Sequence, residues 1–377
     1  MGEGPLAGLK GLEFAGLGPT PFAAMVLADL GADIIRIDRP GASTPSDIGP
    51  SGFLLRSRRS IGIDLKSGDG VEVALDIVER SDFLIEGLRP GVMERLGLGP
   101  DVCHERNPAL VYGRMTGWGQ SGPLAHTAGH DIDYIAVAGA LHPIGRAGSP
   151  PPPPLNLIGD FGGGSMFLVS GILAALFARD RVGGQVVDAA MVDGTAVLTT
   201  MAHSMLAAGI RTMARESNLL DGGAPFYDTY ECADGEFVAV GALEPQFYSA
   251  FMEGIGVEDP PGQYDRSTWP ELRQIIASAF RTRTRDEWAD HFADTDACVA
   301  PVLSLDEAPA HPFNAARDVF IEVGDQVHPA PAPRFDTTPT GSPSAPRSPG
   351  ADTAAVLAKL GYDAERIDGL RAAGVVH

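Results

Sequence analysis

Short apolar runs alternate along the chain with segments whose apolar residues recur at helical spacing. The runs Leu9 to Phe14, Asp33 to Ile37, Ser60 to Leu65, Asp82 to Glu86 and Leu110 to Arg114 have the near-continuous hydrophobicity of strands covered on both faces. Between them, Phe22 to Leu30 and Val71 to Arg80 carry the helical period. This alternation predicts a doubly wound parallel α/β layer. Further on, Asp160 to Ala178 reads as a long apolar helix, and Val186 to Leu206 as a strand followed by a second helix. The period lapses from Arg211 to Gly223. A smaller α+β unit then begins, with a hairpin of Phe226 to Glu231 and Phe237 to Val240 around Ala233-Asp234-Gly235. Helices near Glu244 to Gly254 and Trp269 to Phe280 follow, with a closing strand at Asp296 to Leu303. Residues 329 to 350 are rich in proline and serine and read as extended. The tail is helical at Thr353 to Leu360 and Ala364 to Ala372.

The expected division is a large Rossmann-like domain over 1–210, a linker over 211–225, and a small domain over 226–312. An extended return over 313–350 and a helical tail over 351–377 that rejoins the large domain complete it. A chain of 377 residues exceeds the usual size of a single core, which suits two domains. The formal net charge of −21 argues against nucleic acid and anionic membranes as partners, so an anionic ligand would need a local basic patch. Three scattered cysteines form neither a disulfide framework nor a zinc site, and no metal is expected; a cytoplasmic setting fits. The start of the chain lacks the layout of a secretion signal, and the ending Val375-Val376-His377 is not a peroxisomal address. The apolar run Ser165 to Ala178 is too short to span a bilayer, so no membrane insertion is expected. Proline in the first turn, Gly16 to Pro21, argues against a dinucleotide fingerprint.

The candidate chemistry centres on two residues in glycine-rich segments, His130 in Gly129-His130-Asp131 and Asp160 in Gly159-Asp160-Phe161 ahead of Gly162-Gly163-Gly164. Each has a plain structural reading, as a capping or satisfied histidine and as an N-cap aspartate. A capping aspartate does not call for three glycines, however, each of which costs a helix roughly 1 kcal/mol against alanine. Their presence suggests a ligand approaching the backbone. Amides at that helix start, with Asn156, are candidate donors to a developing oxyanion. Glu244, where a strand gives way to a helix, reads either as a helix-start acid or as a carboxylate that orients an imidazole. Arg36, Arg39, Arg56, Arg58, Arg59, Lys66 and Arg89 cluster near predicted strand ends, where an open α/β sheet binds ligands.

Several segments together resemble the family III CoA-transferase superfamily: Thr116 to Gly122, Ala128 to Tyr134, Leu155 to Gly164, Gln185 to Gly194 and Leu220 to Tyr227. The likeness runs from about Leu6 to Arg334, and it is greatest to the branch that inverts 2-methyl-branched acyl-CoA thioesters. The resemblance implies an interlocked homodimer with each site between the large domain of one chain and the small domain of the other. It implies that His130 and Asp160 are acid/base residues on opposite faces of the substrate α-carbon, with Glu244 of the other chain as partner of His130. The CoA-contacting positions it implies are Arg39, Gly62, Ile63, Asp64, Leu65, Glu86, Gly87, Arg89, Gly129, Asp131, Ile132, Asp133 and Tyr134. Asp133 departs from the family's usual asparagine. No cofactor is implied beyond the CoA of the substrate itself. The implied activity is racemisation of (2R)- and (2S)-2-methylacyl-CoA by 1,1-proton transfer through an enolate. One alternative is a CoA-transferase with Asp160 as nucleophile, against which stand His130, Glu244 and the lack of that class's glycine-run loop around Val240 to Gln246. The other is a non-catalytic acyl-CoA-binding protein.

Overall fold

The computed structural model describes residues 3–42 and 49–377. Residues 1–2 and 43–48 of the expected large domain lie outside the described residues. Contacts divide the chain into two units, one of Met1–Ala138, Pro154–Leu198 and Arg317–His377, the other of Gly139–Pro153 and Thr199–Ala316.

The first unit is built on a six-stranded parallel sheet of β1 (Lys10–Phe14), β2 (Asp33–Asp38), β3 (Arg59–Gly62), β4 (Phe83–Glu86), β5 (Val111–Thr116) and β6 (Gln185–Ala190), in the order β3-β2-β1-β4-β5-β6. That order reverses direction between β1 and β4, the switch point at which doubly wound sheets open a crevice. Helices α1 (Pro19–Asp29), α2 (Gly68–Val78), the pair α3 (Val92–Arg95) and α4 (Pro100–Arg106), and α5 (Asp131–Val137) follow β1, β3, β4 and β5 in turn. The sheet has a core on each side. One includes Leu12, Ile61, Val73, Tyr112, Val356 and Val376, the other Leu27, Ile34, Phe83, Leu168 and Ile172.

Ahead of α6 (Met166–Val182) the backbone makes a π-helical turn, Leu157–Ser165, so the apolar helix runs unbroken for 26 residues. Its length and composition would allow it to cross a membrane, which overturns the expectation that the segment is too short. Leu168, Val169, Ile172 and Ala175 are buried in the core beside the sheet. Helix α7 (Met191–Leu198) crosses the π turn, and this crossing explains the glycines. A Cβ at Gly163 would lie 2.5 Å from Thr195 Oγ1 and 2.9 Å from the Met191 carbonyl, and one at Gly194 would overlap the Gly163 carbonyl. At Gly164 it would lie 2.9 Å from Met191 Cγ, and at Gly162 3.2 Å from Leu198 Cδ1. The glycine run is therefore required by helix packing, in place of the ligand approach expected from sequence.

In the second unit, α8 (Thr200–Ala207) precedes an antiparallel sheet of β7 (Tyr227–Glu231), β8 (Phe237–Gly241) and β9 (Val299–Pro301). Helices α9 (Pro245–Gly254), α10 (Trp269–Phe280) and α11 (Arg285–Phe292) cover it, around an aromatic core of Phe226, Tyr248, Phe251, Phe280 and Trp288, and α12 (Pro312–Ala316) follows. The units meet at 198–199, ahead of the expected boundary at 210. Residues 139–153 side with the second unit, where Arg146 pairs with Asp228 at 2.8 Å and Arg215 donates to the carbonyls of His142 and Ser149.

The return segment rejoins the first unit from 317. The expected extended return over 313–350 is not extended throughout: it forms a hairpin of β10 (Phe320–Val323) and β11 (Gln326–Pro329), whose four paired positions satisfy its backbone, and only then docks along the sheet edge. There Arg56 donates to the Pro329 carbonyl at 2.7 Å and the Ser57 amide to the Ser344 carbonyl at 3.0 Å. Helices α13 (Thr353–Leu360) and α14 (Ala364–Ala372) close the chain, and Val376 pairs with Ile63 beside β3.

Candidate active site

A cavity of about 380 Å³ opens at the switch point of the first unit. Its walls are the segments that leave the C-terminal ends of β1 (Leu17 to Thr20), β4 (Gly87 to Pro90) and β5 (Met115 to Trp118), with Ala128 to His130, Tyr134, Asp160 and Met191. Both acid/base candidates therefore line one space. His130 is the exposed N-cap of α5, and its amide donates to Asp133 Oδ2 at 3.0 Å, closing the first helical turn. Asparagine would offer the same acceptor, so Asp133 preserves this capping role.

Asp160 sits in the π turn, a device that recurs at functional sites because it turns a side chain out of helical register. Its Oδ2 accepts from Asn156 Nδ2 at 3.2 Å, and its amide donates to Asp131 Oδ2 at 2.7 Å. Gly18, with φ +59° ahead of α1, leaves room for the carboxylate; a Cβ there would lie 3.2 Å from Oδ2. Burial raises the Asp160 carboxyl above the ordinary range, Asn156 opposes the rise, Asp131 adds to it and His130 opposes it. Burial also pushes the Tyr134 hydroxyl up to about 12, and that hydroxyl donates to the Gly129 carbonyl.

The other CoA candidates divide by position. Gly87, Arg89, Gly129 and Tyr134 line the cavity. Arg39 is exposed just beyond β2, outside it. The polar backbone at Gly62 to Asp64 is occupied by other parts of this chain: Gly62 N–H donates to Thr353 Oγ1, His377 N–H to the Gly62 carbonyl, Ile63 N–H to the Asp38 carbonyl and Asp64 N–H to the Val375 carbonyl. Leu65, half-buried, packs against the core on that side. Glu86 is fully buried, accepts from the Leu88 amide and pairs with Arg114 at 2.9 Å. Asp131 is buried, whereas Ile132 is exposed on the first turn of α5. Glu244 belongs to the second unit, where it is the exposed N-cap of α9.

The basic cluster proves mostly structural. Arg36 pairs with Asp38 at 2.9 Å, Arg56 with Asp29 at 2.5 Å and Arg58 with Glu13 at 3.2 Å, all buried, while Arg59 holds Asp33. Arg39, Lys66 and Arg89 remain exposed. Sequence reasoning missed Leu17 to Thr20 and Met115 to Trp118 as cavity walls. The signal was their place directly after strands. Among the described residues no group of three or more His, Cys, Asp or Glu is placed to hold a metal ion.

A family model described as CoA-transferase family III matches residues 6–353. The chain is 46% identical over 368 residues to the α-methylacyl-CoA racemase of Mus musculus, covering 96% of this chain and 95% of the relative. It is 45% identical over 368 residues, with the same coverage, to the α-methylacyl-CoA racemase of Homo sapiens. A solved CAIB/BAIF family protein from Brucella suis shares the fold, with a TM-score of 0.83 at 23% identity over 95% of this chain and 100% of that one.

Proposed function

The chain belongs to CoA-transferase family III, and on that premise we propose that it is an isomerase interconverting (2R)- and (2S)-2-methylacyl-CoA thioesters. The observation that carries this reading is the presence of His130 and Asp160 on the walls of one cavity. One group removes the α-proton while the other delivers a proton to the opposite face, and the reverse reaction exchanges the roles. The raised proton affinity of Asp160 suits a group that must hold a proton in one direction and accept it in the other.

A thioester α-proton is far less acidic than either side chain, so the enolate oxygen needs donors as charge forms. The Asp160 amide is committed to Asp131 and cannot serve. The first-turn amides of α5, at Asp131 and Ile132, are the ones helix geometry leaves without internal acceptors, and they adjoin His130. They are therefore candidate oxyanion donors beside those expected at the Asp160 helix start. CoA enters as part of the substrate, with the exposed cations Arg39 and Arg89 as candidates for its phosphates.

The reading includes a homodimer in which Glu244 of the second copy meets His130. It is supported by apolar side chains in the first unit without a covering layer, among them Phe177 at 89% exposure and Val182 at 59%. The cysteines Cys103, Cys232 and Cys298 are free, which suits a reducing compartment such as the cytoplasm.

The test is incubation with a single enantiomer of a 2-methylacyl-CoA in deuterium oxide without an acid acceptor. Deuterium at the α-carbon with loss of optical activity is expected. Absence of both overturns the racemase reading. CoA exchange only when an acid acceptor is added would identify a transferase with Asp160 as nucleophile, and binding without turnover a carrier.

A further inference from the structure

One residue joins the two halves of this site through a buried side chain. Asp131 follows His130 directly, yet it is only 7% exposed. Its Oδ2 accepts the Asp160 amide at 2.7 Å, across 29 positions of the chain, and its Oδ1 is buried without a hydrogen-bond partner among the described residues. Resting on the two-base reading above, we propose that Asp131 is a positioning residue: it clamps the Asp160 backbone to the segment carrying His130 and holds a negative charge beside the Asp160 carboxyl.

An acidic residue in the first turn of a helix ordinarily faces solvent and answers the helix dipole. Asp131 is turned inward, and its neighbour is shaped to receive it. A Cβ at Gly159 would lie 2.7 Å from Asp131 Oδ2 and 3.0 Å from its Cγ, so glycine just before Asp160 is the space the carboxylate occupies. Accepting one amide proton needs only one oxygen, which asparagine also has. Keeping a second carboxylate oxygen buried and unpaired costs free energy, so a purely structural clamp gives no reason for the charge. The charge has a use at Asp160.

The titratable groups acting on Asp160 are Asp131, which favours the protonated form, and His130, which favours the ionised one; Asn156 of its own turn also favours the ionised form. Tyr134, on α5, is itself affected by the Asp160 charge. Of the other elements packed on the π turn, α1 carries Asp29 at its far end, α6 carries Arg179, Asp180 and Arg181 in its last turn, α7 carries Asp193, β5 Arg114 and β6 Asp188, and none of these contributes to the shift of Asp160. Asp131 therefore combines two effects: the spacing of the two bases through the clamp, and the proton affinity of one of them through its charge.

The two effects separate by substitution. Asp131→Asn keeps an acceptor for the amide and removes the charge; Gly159→Ala keeps the charge and displaces the carboxylate. With both enantiomers of a 2-methylacyl-CoA, kcat, KM and pH–rate profiles are measured by α-deuterium exchange, and Tm is recorded. In Asp131→Asn the limb belonging to Asp160 is expected to move to lower pH, with KM within about twofold, since the clamp does not act on ground-state binding. In Gly159→Ala kcat is expected to fall about 10- to 100-fold, the scale of a small misplacement, with that limb in place. A wild-type limb in Asp131→Asn, or a change confined to KM, overturns the proposal. Should Asp131→Asn fail to fold, wild-type kcat in Gly159→Ala overturns it. A wild-type enzyme that exchanges no α-proton refutes the two-base reading itself and the proposal with it; exchange in the wild type with unaltered variants refutes the proposal alone.

Discussion

Asn156 Nδ2 stands 3.2 Å from Asp160 Oδ2, so the residue that opens the π turn holds the carboxylate that the turn presents. A donor to a carboxylate stabilises its ionised form and lowers its proton affinity. Asn156 thus opposes the burial that raises Asp160.

Asn156→Ala removes that opposition. The Asp160 limb of the pH–rate profile is expected to move to higher pH, opposite in sign to Asp131→Asn. A hydrogen bond to a charged group contributes about 1.5–3 kcal/mol, so kcat at neutral pH for the enantiomer deprotonated by Asp160 should fall about 10-fold or more. Profiles for both enantiomers check it, and a limb that stays put or moves down refutes the assignment.

Removing one base should leave half of the reaction. Asp160→Asn and His130→Gln are each expected to lose roughly 10²- to 10⁴-fold in racemisation. Each should still exchange the α-proton of one enantiomer with solvent, and a different one in each variant. Deuterium incorporation followed with the separate enantiomers measures this. Loss of exchange with both enantiomers in either variant would argue for a nucleophilic Asp160 or a single shuttling base.

The buried pair of Arg58 and Glu13 carries a pH signature. The two lie 3.2 Å apart with side-chain exposures of 1% and 0%, close but without hydrogen-bond alignment. Arg58→Met leaves the glutamate uncompensated and should cost about 3–5 kcal/mol. Burial raises the Glu13 carboxyl and Arg58 opposes the rise, so without Arg58 its native proton affinity climbs further above the unfolded value. A group raised in this way keeps its stability at low pH and loses it as pH rises through the folded pKa. The deficit of Arg58→Met should therefore shrink as pH falls, and adding Glu13→Gln should recover most of it. Denaturant unfolding at two pH values tests both statements, and a deficit that grows toward acid contradicts them.

Gly163→Ala places a Cβ 2.5 Å from Thr195 Oγ1 and 2.6 Å from the Thr195 amide. Overpacking of this kind costs about 1–3 kcal/mol, read as a lower Tm. Gly194→Ala, whose Cβ would overlap the Gly163 carbonyl, should cost more. If both variants keep wild-type stability, the glycines do not serve the α7 crossing, and the ligand-approach reading returns.

Most of the fold was legible in the chain. The strands β1 to β5 fall where short apolar runs lie between helical periods, because burial of a parallel sheet on both faces writes itself into adjacent residues. Helices α13 and α14 lie at the spans read for the helical tail. Helix α11 was not anticipated, although Thr284 and Glu287 form a capping box ahead of it. The extended return was legible only as composition. Its docking depends on Arg56, Ser57 and Ser60, nearly three hundred positions away.

The sequence by itself determined the α/β alternation, the family resemblance and the candidacy of His130 and Asp160, since each is carried by neighbouring residues in fixed order. Tertiary structure decided what those residues touch. It buried Arg56 and Arg58 in ion pairs where sequence suggested a phosphate site, because their partners Asp29 and Glu13 lie on other elements, and it buried Arg36 against Asp38 of its own strand. It assigned the glycine run to the crossing of α7, whose Thr195 is 32 positions beyond Gly163. It buried Asp131 and set its carboxylate against the Asp160 amide, 29 positions along the chain. Periodicity reports which way a side chain faces within its own element; the identity of the group it meets depends on how distant elements pack, and on that the proton transfer depends.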